Sequence, residues 1–128
     1  MKKIYVIIFF FCSINIFLGC SSSKTSSQYK INSFTGTWNF EYEGLYSGTT
    51  ELKIDQDGQF GVTIEVTTDS RTFTNYIYGE VSETGEVTGY ITLSGNRIGS
   101  LSGTMKGNNG NGIYKTQRGE GAWNSIKK

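Results

Sequence analysis

The residues of this chain that could do chemistry are mainly carboxylates and hydroxyls. Histidine is absent from all 128 positions, which removes the commonest general base and the commonest metal ligand. Four glutamates could in principle supply an acid/base pair, but the strand pairing described below turns each side chain to solvent: Glu41, Glu43, Glu51 and Glu65. Solvated carboxylates have no reason for a shifted pKa, and the serines lack a base to activate them. The sequence therefore predicts no enzyme activity.

One short segment, Asp55-Gln56-Asp57-Gly58, is similar to the start of a calcium-binding loop. Such a loop needs a further carboxylate to close the coordination shell, and the position where it would fall is Val66. Asp-Gly is also a preferred hairpin turn. We therefore expect a turn here, with no metal site and no cofactor.

Residues 1–19 have the three parts of a secretory signal. Lys2 and Lys3 precede an apolar stretch over residues 4–18, and the small residue Gly19 follows it. The apolar stretch is shorter than the roughly 20 residues that a membrane-spanning helix needs. We therefore predict a leader over residues 1–19 that is cleaved between Gly19 and Cys20.

The segment Phe17-Leu18-Gly19-Cys20 resembles the lipoprotein motif of bacterial signal peptides, although Phe17 stands where Leu is usual and Leu18 where a smaller residue is usual. The resemblance implies a lipid on Cys20, and acyl chains of that kind anchor a protein to a membrane. The alternative is a secreted protein in which Cys20 has no role. The resemblance implies the bacterial cell envelope, and in a Gram-negative bacterium with the usual sorting machinery Ser21, in place of Asp, implies the outer membrane.

The remainder divides into a tether and one domain. Residues 20–33 are polar and serine-rich without periodicity, which is typical of a flexible linker. Residues 34–128 are enough for a single domain. The whole chain has 17 glycines, no proline and 14% aromatic residues, which favours short strands and tight turns over helices. Its formal net charge is +1 without clustered basic residues, so a nucleic-acid partner is not expected.

Turn residues divide the domain into about eight strands, and pairing across the turns puts apolar residues on one common face. The predicted hairpin turns are Gln56-Asp57-Gly58, Asp69-Ser70, Glu83-Thr84-Gly85 and Ser94-Gly95-Asn96. The predicted partners are Ile54–Phe60, Leu52–Val62, Val66–Phe73, Ile64–Asn75, Val62–Ile77, Val81–Val87, Ile77–Ile91, Leu93–Arg97, Ile91–Gly99, Gly89–Leu101 and Val87–Gly103. The sequence thus predicts an all-β fold, a single antiparallel up-and-down meander that closes into a small barrel, because closure removes exposed edges.

The register after residue 106 has two readings. A two-residue turn at Asn109-Gly110 would set Met105 opposite Tyr114, and a turn at Arg118-Gly119 would then set Tyr114 opposite Trp123. A three-residue loop, Asn108-Asn109-Gly110, would instead turn Tyr114 outward.

The Gly36-Thr37-Trp38 opening strand and the glycine-punctuated hairpins resemble streptavidin-like and lipocalin-like barrels, and also the barrels of surface lipoproteins of the transferrin-binding type. In a closed meander the first strand neighbours the last, so Trp38 and Trp123 would line one seam. The lipocalin resemblance implies a small apolar ligand inside. The candidate binding residues follow from the predicted inward positions and not from the resemblance: Trp38, Phe40, Tyr42, Asn75, Tyr114 and Trp123. The many large inward side chains favour a filled core, in which any bound ligand would be small and uncharged at its buried end. Arg97, at a strand end, is the one charged residue of the inward set.

The outer face carries Tyr76, Tyr78 and Tyr90, with Tyr78 opposite Tyr90 on one side and Gly61 on the other. Such a cluster either stabilises the sheet by covering a glycine or serves as a contact patch. The predicted function is that of a lipid-anchored envelope lipoprotein with a non-catalytic binding or scaffold role, in which barrel surface or loops contact a protein or glycan. The alternative is a small apolar ligand in the barrel interior.

Overall fold

In the computed structural model, which describes residues 30–128, eight antiparallel strands form a closed barrel. They are β1 (Gly36–Gly44), β2 (Gly48–Ile54), β3 (Gln59–Thr68), β4 (Arg71–Val81), β5 (Glu86–Leu93), β6 (Asn96–Lys106), β7 (Asn109–Thr116) and β8 (Gly119–Lys127). Each strand pairs with the next, and β8 pairs with β1, which confirms the predicted all-β meander. Within residues 30–128 no helix is long and apolar enough to cross a membrane. The predicted leader, Cys20 and residues 20–29 of the predicted tether lie outside the described residues.

The connections between strands define two ends of the barrel. The mouth carries four of them: residues 45–47, 69–70, 94–95 and 117–118. The closed end carries the other three, residues 55–58, 82–85 and 107–108. Both ends of the described chain also lie at the closed end, where Lys30 pairs with Glu83 and the backbone N–H of Lys128 donates to the Thr37 carbonyl.

Most of the predicted register between β3 and β6 is confirmed. Across β3, β4 and β5 the observed pairs include Val66–Phe73, Ile64–Asn75, Val62–Ile77, Ile77–Ile91 and Val81–Val87. Across β5 and β6 they include Ile91–Gly99, Gly89–Leu101 and Val87–Gly103. At the β2–β3 junction Ile54 pairs with Phe60 as predicted, but the predicted Leu52–Val62 pair does not form. A turn determines which residues pair next to it, but it does not determine how many further residues pair. Here β2 and β3 separate beyond the Ile54–Phe60 pair, toward the mouth.

The β5–β6 turn differs from the prediction. It is a two-residue turn, Ser94-Gly95, in which both residues have positive φ (51° and 81°), as a type I′ hairpin requires. Leu93 therefore pairs with Asn96, and the predicted Leu93–Arg97 pair is wrong. The ladder then skips Ile98 in a β-bulge, which restores the predicted register at the next pairs. Arg97 pairs with Thr92 and lies over the outer face instead of at an inward position.

The last two turns were also predicted wrongly. The β6–β7 turn is Gly107-Asn108, with Gly107 at φ +60°, and neither Asn109-Gly110 reading is correct. The β7–β8 turn is Gln117-Arg118, so Tyr114 pairs with Leu101 and Gly121, and neither predicted partner, Met105 or Trp123, faces it. Interior packing explains the observed register, because a Cβ at Gly121 would collide with the Tyr114 ring. Tyr114 still points inward. The observed pairs differ from those of the predicted two-residue turns by an even number of residues, and such a shift leaves each side chain on the same face of the sheet.

The inward side chains form one hydrophobic core. Its members are Phe34, Trp38, Phe40, Tyr42, Leu52, Ile54, Phe60, Ile64, Val66, Ile77, Val81, Val87, Ile91, Leu101, Met105, Tyr114 and Trp123. Trp38 and Trp123 lie on the neighbouring strands β1 and β8 and are 0% and 1% exposed, as predicted. Val62 and Phe73, which were predicted to be inward, are only half-buried.

Candidate functional site: the barrel mouth

The closed end is sealed by the chain segment that precedes β1. The Asn32 side chain is buried, donates from Nδ2 to the Val81 carbonyl (2.8 Å) and accepts the Phe34 N–H at Oδ1 (2.9 Å). Trp38 donates its indole N–H to the Phe34 carbonyl (2.8 Å), and the Phe34 ring packs 6.4 Å from the Trp38 ring. These hydrogen bonds pair the buried polar groups of the segment. The segment therefore covers this end of the barrel and stabilises it.

The middle of the barrel is filled. Trp38 is fully buried, and the Trp123 ring stacks on Phe40 with 5.4 Å between ring centroids. A gap of about 20 Å³ lies beside Phe40, Tyr42 and Tyr114, which is room for about one water molecule. Of the six candidate ligand residues, Trp38 and Trp123 thus belong to the packed core, Phe40 and Tyr114 line this gap, and Tyr42 lines both the gap and a separate groove beside Glu41 and Glu43.

The mouth holds a larger cavity, of about 240 Å³. Most of its wall is apolar. Tyr46, Asn75 and Thr116 line both this cavity and the small gap, and Asn75 is the buried one of the three. The cavity is lined by Tyr46, Val66, Phe73, Asn75, Leu93, Ile98, Thr116, Gln117 and Arg118. Asn75 is the one candidate ligand residue that faces this space.

Asn75 is unusual in its hydrogen bonding. Its side chain is 4% exposed, and Oδ1 has no hydrogen-bond partner within residues 30–128. Buried polar atoms are nearly always paired, and leaving one unpaired costs about 1–3 kcal/mol. Ser125 Oγ is the other such atom in this part of the chain, but it lines neither cavity. Asn75 Nδ2 also has no hydrogen-bond partner within residues 30–128, but it is not enclosed as Oδ1 is, so Nδ2 is the amide atom accessible beside the cavity.

Tyr114 supports the rim of the mouth. Its hydroxyl donates to the Tyr46 carbonyl and accepts the Tyr46 N–H, both at 2.9 Å, so it fixes the β1–β2 connection beside the cavity. This hydroxyl is therefore committed to the fold. Burial raises the pKa of the neighbouring Tyr42, and the Tyr114 phenol adds to that effect.

The rim also carries one cation. Arg118 is the one charged residue among those of the described chain that line the cavity. Its guanidinium makes no ion pair or hydrogen bond with another residue of 30–128, whereas the nearby Lys115 and Glu120 face each other at 4.0 Å. Arg118 lies in the β7–β8 turn, where its backbone N–H donates to Thr116 Oγ1 (3.2 Å). The sequence offers no signal that Arg118 lines the cavity, because the residue types of a turn indicate its backbone geometry and not what its side chains contact.

The outer tyrosines have the predicted register, and their rings contact mainly one another. Tyr78 pairs with Tyr90 and lies opposite Gly61, and the ring of Tyr76 extends over Gly61. Tyr76 and Tyr90 are 47% and 37% exposed, with ring spacings of 5.9 Å (Tyr76–Tyr78) and 5.7 Å (Tyr78–Tyr90). The Arg97 guanidinium lies 3.3 Å from the Tyr90 ring centre, and its hydrogen bond with Tyr78 raises the pKa of Arg97. A shallow groove of about 570 Å³ runs beside the rings.

The carboxylates show no site of their own. In the part of the chain that the structure describes, no three His, Cys, Asp or Glu residues lie close enough together to hold a metal ion. Asp55 instead organises the β2–β3 turn, where its Oδ1 accepts the N–H groups of Asp57 and Gln59, each at 2.9 Å. The segment is thus the turn that we expected. The four glutamates discussed above are all exposed, also as expected.

The chain matches no protein-family model and no curated protein. Among solved structures it is similar to one described as a "De novo design of a fluorescence-activating beta barrel". That similarity covers 79% of this chain and 94% of the designed one, at 19% identity and a TM-score of 0.47. Both chains fold as β-barrels.

Proposed function

We propose that this protein is a non-catalytic binding protein of the bacterial cell envelope, anchored by a lipid on Cys20, and that it takes up one small, largely apolar molecule in the barrel mouth. The observation that carries the binding proposal is the mouth cavity with the unpaired Asn75 amide among the residues that line it. The rest of the described interior is filled. A protein that used the barrel only as a scaffold would gain stability by filling this space too.

The size of the cavity limits the ligand. A volume of about 240 Å³ lies below the roughly 300–1,000 Å³ of ordinary small-molecule pockets. An aromatic ring or a short acyl chain fits this space, whereas a long lipid does not. The half-buried Phe73, Leu93 and Ile98 would be covered by such a ligand, which is favourable at about 25 cal/mol for each Å² of apolar surface removed from water.

A protein or glycan partner on the outer tyrosine face is the second candidate. The exposed rings of Tyr76 and Tyr90 and the groove beside them favour it. The mouth is the better supported site, because Arg97 already lies on the Tyr90 ring and the tyrosines already cover Gly61. A stabilising role accounts for the outer cluster without a partner.

Binding is tested by native mass spectrometry of the protein purified from its own envelope. We expect a small co-purified molecule on the wild type and its loss in Leu93→Trp, which fills the mouth. Ile113→Trp, at an exposed outward position, is the matched control and should retain the molecule. Absence of any bound small molecule from the wild type, or equal retention by both variants, would refute binding at the mouth.

The anchor is tested separately by metabolic labelling with a palmitate analogue. The Leu18-Gly19-Cys20 pattern predicts incorporation into the wild type and none into Cys20→Ala. Equal labelling of the two proteins would refute the lipid anchor and leave the binding proposal standing.

A further inference from the structure

We propose that the barrel wall between β2 and β3 is a docking site for an extended peptide segment of a partner protein, in which basic residues alternate with apolar ones. The segment would add to the edge of β3 as a further antiparallel strand. This site goes beyond the proposed ligand in the mouth, because it uses the backbone of the wall and not the cavity inside.

The edge of β3 that faces β2 is largely unpaired. Ile54–Phe60 is the one residue pair that joins these two strands in the described chain. All other neighbouring strands of the barrel are joined along most of their length. The wall therefore contains one stretch, called here the β2–β3 separation, where residues 48–53 and 61–68 face each other without strand pairing.

The backbone groups that point into the β2–β3 separation follow from strand alternation. In a strand, the N–H and C=O of one residue point to one neighbour, and those of the next residue point to the other. The Gln59 carbonyl points to β2, where it accepts the Asp55 N–H (2.9 Å). By alternation the backbone groups of Thr63, Glu65 and Thr67 point the same way, and no strand pairs with them there. The complement of such a row of donors and acceptors is another extended backbone.

Space beside this edge opens at the mouth end. The β1–β2 connection, residues 45–47, and the end of β3 line a groove of about 400 Å³. Further along the separation Val62 points inward but is only half-buried, because the predicted Leu52 partner does not cover it. An apolar side chain on the inner face of an added strand would cover Val62, which is favourable.

Charge at the mouth end of the β2–β3 separation favours a basic segment. Glu65 is exposed on the edge itself, Asp69 follows in the next turn, and Glu43 lies beside the start of β2. None of these carboxylates forms an ion pair within residues 30–128. Two cations lie near, Lys53 at the narrow end and Arg71 at the start of β4. Outward side chains of an added strand beside Glu65 would therefore meet mainly negative charge, which favours lysine there.

The backbone contact is tested with an acetylated and amidated hexapeptide, Lys-Val-Lys-Val-Lys-Val, by isothermal titration calorimetry. The chain carries Cys20→Ala, so that no lipid is attached. Residues directly opposite each other share a face of the sheet, so the outward lysines of the peptide direct their N–H groups to β3. N-Methylation of the three lysines should weaken binding about tenfold or more, because it removes these donors. N-Methylation of the three valines, on the opposite edge, is the matched control and should have a smaller effect.

Amide hydrogen exchange locates the contact. In the free protein the N–H groups of Glu65 and Thr67 should exchange quickly, and those of Ile64 and Val66, which point to β4, slowly. The peptide should slow exchange at Glu65 and Thr67 about tenfold. Slow exchange at both residues in the free monomer would overturn the proposal. Protection that appears only as the protein dimerises would also overturn it, in favour of a second copy of this chain.

The sign of the charge is tested by one substitution. Glu65→Lys should weaken the lysine peptide about threefold. Glu86→Lys, at an exposed position on β5, makes the same change away from the separation and should leave binding unchanged. Equal binding of a Glu-Val-Glu-Val-Glu-Val peptide would overturn the basic assignment. No binding of the lysine peptide, or equal effects of the two methylations, would overturn strand addition. Mouth binding is decided separately, by the loss of the co-purified molecule in Leu93→Trp.

Discussion

The two ends of this barrel treat a buried asparagine in opposite ways. At the closed end Asn32 is 7% exposed and both atoms of its amide are hydrogen-bonded to the backbone. At the mouth Asn75 is 4% exposed and its Oδ1 has no partner within the described chain. The first amide stabilises the fold, and the second costs stability. The closed end is thus stabilised by its own hydrogen bonds, and under the proposed function the mouth is the end that contacts another molecule.

The turn glycines show the same contrast. Gly85 at the closed end and Gly95 at the mouth have similar φ values, 91° and 81°. A Cβ at Gly85 would collide with the Met105 carbonyl oxygen, whereas a Cβ at Gly95 would meet nothing within 4 Å. The chain therefore packs tightly around the Gly85 turn and leaves the Gly95 turn free, as it also leaves Gly107 at the closed end.

The largest expected effect comes from truncating one aromatic side chain at each end. Trp38→Ala should lower the free energy of unfolding by about 3–5 kcal/mol, because it empties a fully buried site. Phe73→Ala should cost less, about 1 kcal/mol, since Phe73 is only half-buried and lines the cavity instead of the packed core. Urea unfolding followed by circular dichroism measures both. Equal losses would mean that the mouth is packed as firmly as the closed end.

A smaller effect is expected from the two glycines. Gly95→Ala should cost about 1 kcal/mol, the strain of a left-handed alanine. Gly85→Ala should cost about 1–3 kcal/mol more, because the backbone must also move to relieve the collision. Thermal unfolding of the two variants side by side isolates the difference. If Gly95→Ala proved the more destabilising, the open arrangement of the mouth turns would be contradicted.

The smallest effect concerns Tyr42, which lies where the filled core meets the mouth. Burial raises the pKa of Tyr42 in the folded protein, so above the ordinary value of about 10 the unfolded chain loses a proton that the folded chain keeps. The free energy of unfolding should therefore fall as the pH rises above about 10. Tyr42→Phe should reduce this fall, and Tyr76→Phe, at an exposed position, should not. Parallel pH profiles for the wild type and Tyr42→Phe would contradict the assignment.

The register was predicted correctly where the turn residues themselves determine it, and wrongly where packing between strands determines it. The loops ending in Gly58 and Gly85 were identified correctly, because a glycine with positive φ fits their backbone. The turn after Lys106 was placed wrongly, since Asn109-Gly110 is a good local signal that packing overrides. Gly112 and Gly121 must face Trp123 and Tyr114 in the interior, and that requirement acts between strands. The bulge at Ile98 also arises between strands.

The candidate site could be predicted only in part, for the same reason. Strand alternation placed Asn75 and Tyr114 inside, and both are buried there. Alternation does not show that Tyr114 would find a partner in Tyr46 and that Asn75 would find none. Arg118 and Gln117 join the site because a turn folds beside the cavity, and the sequence has no periodic signal for that.

The positions of Lys30 and Lys128 bear on how the barrel would be oriented relative to a membrane. Lys30 and Lys128 lie at the closed end, and residues 20–29, which would join the proposed lipid to the barrel, can span at most about 35 Å. If Cys20 carries the proposed lipid, the closed end would be the pole tied to the membrane and the mouth would be the far pole. A ligand would then enter from the aqueous side or from a facing surface, and not from the bilayer that holds the anchor. Capture and release would both take place on the side turned away from the protein's own membrane.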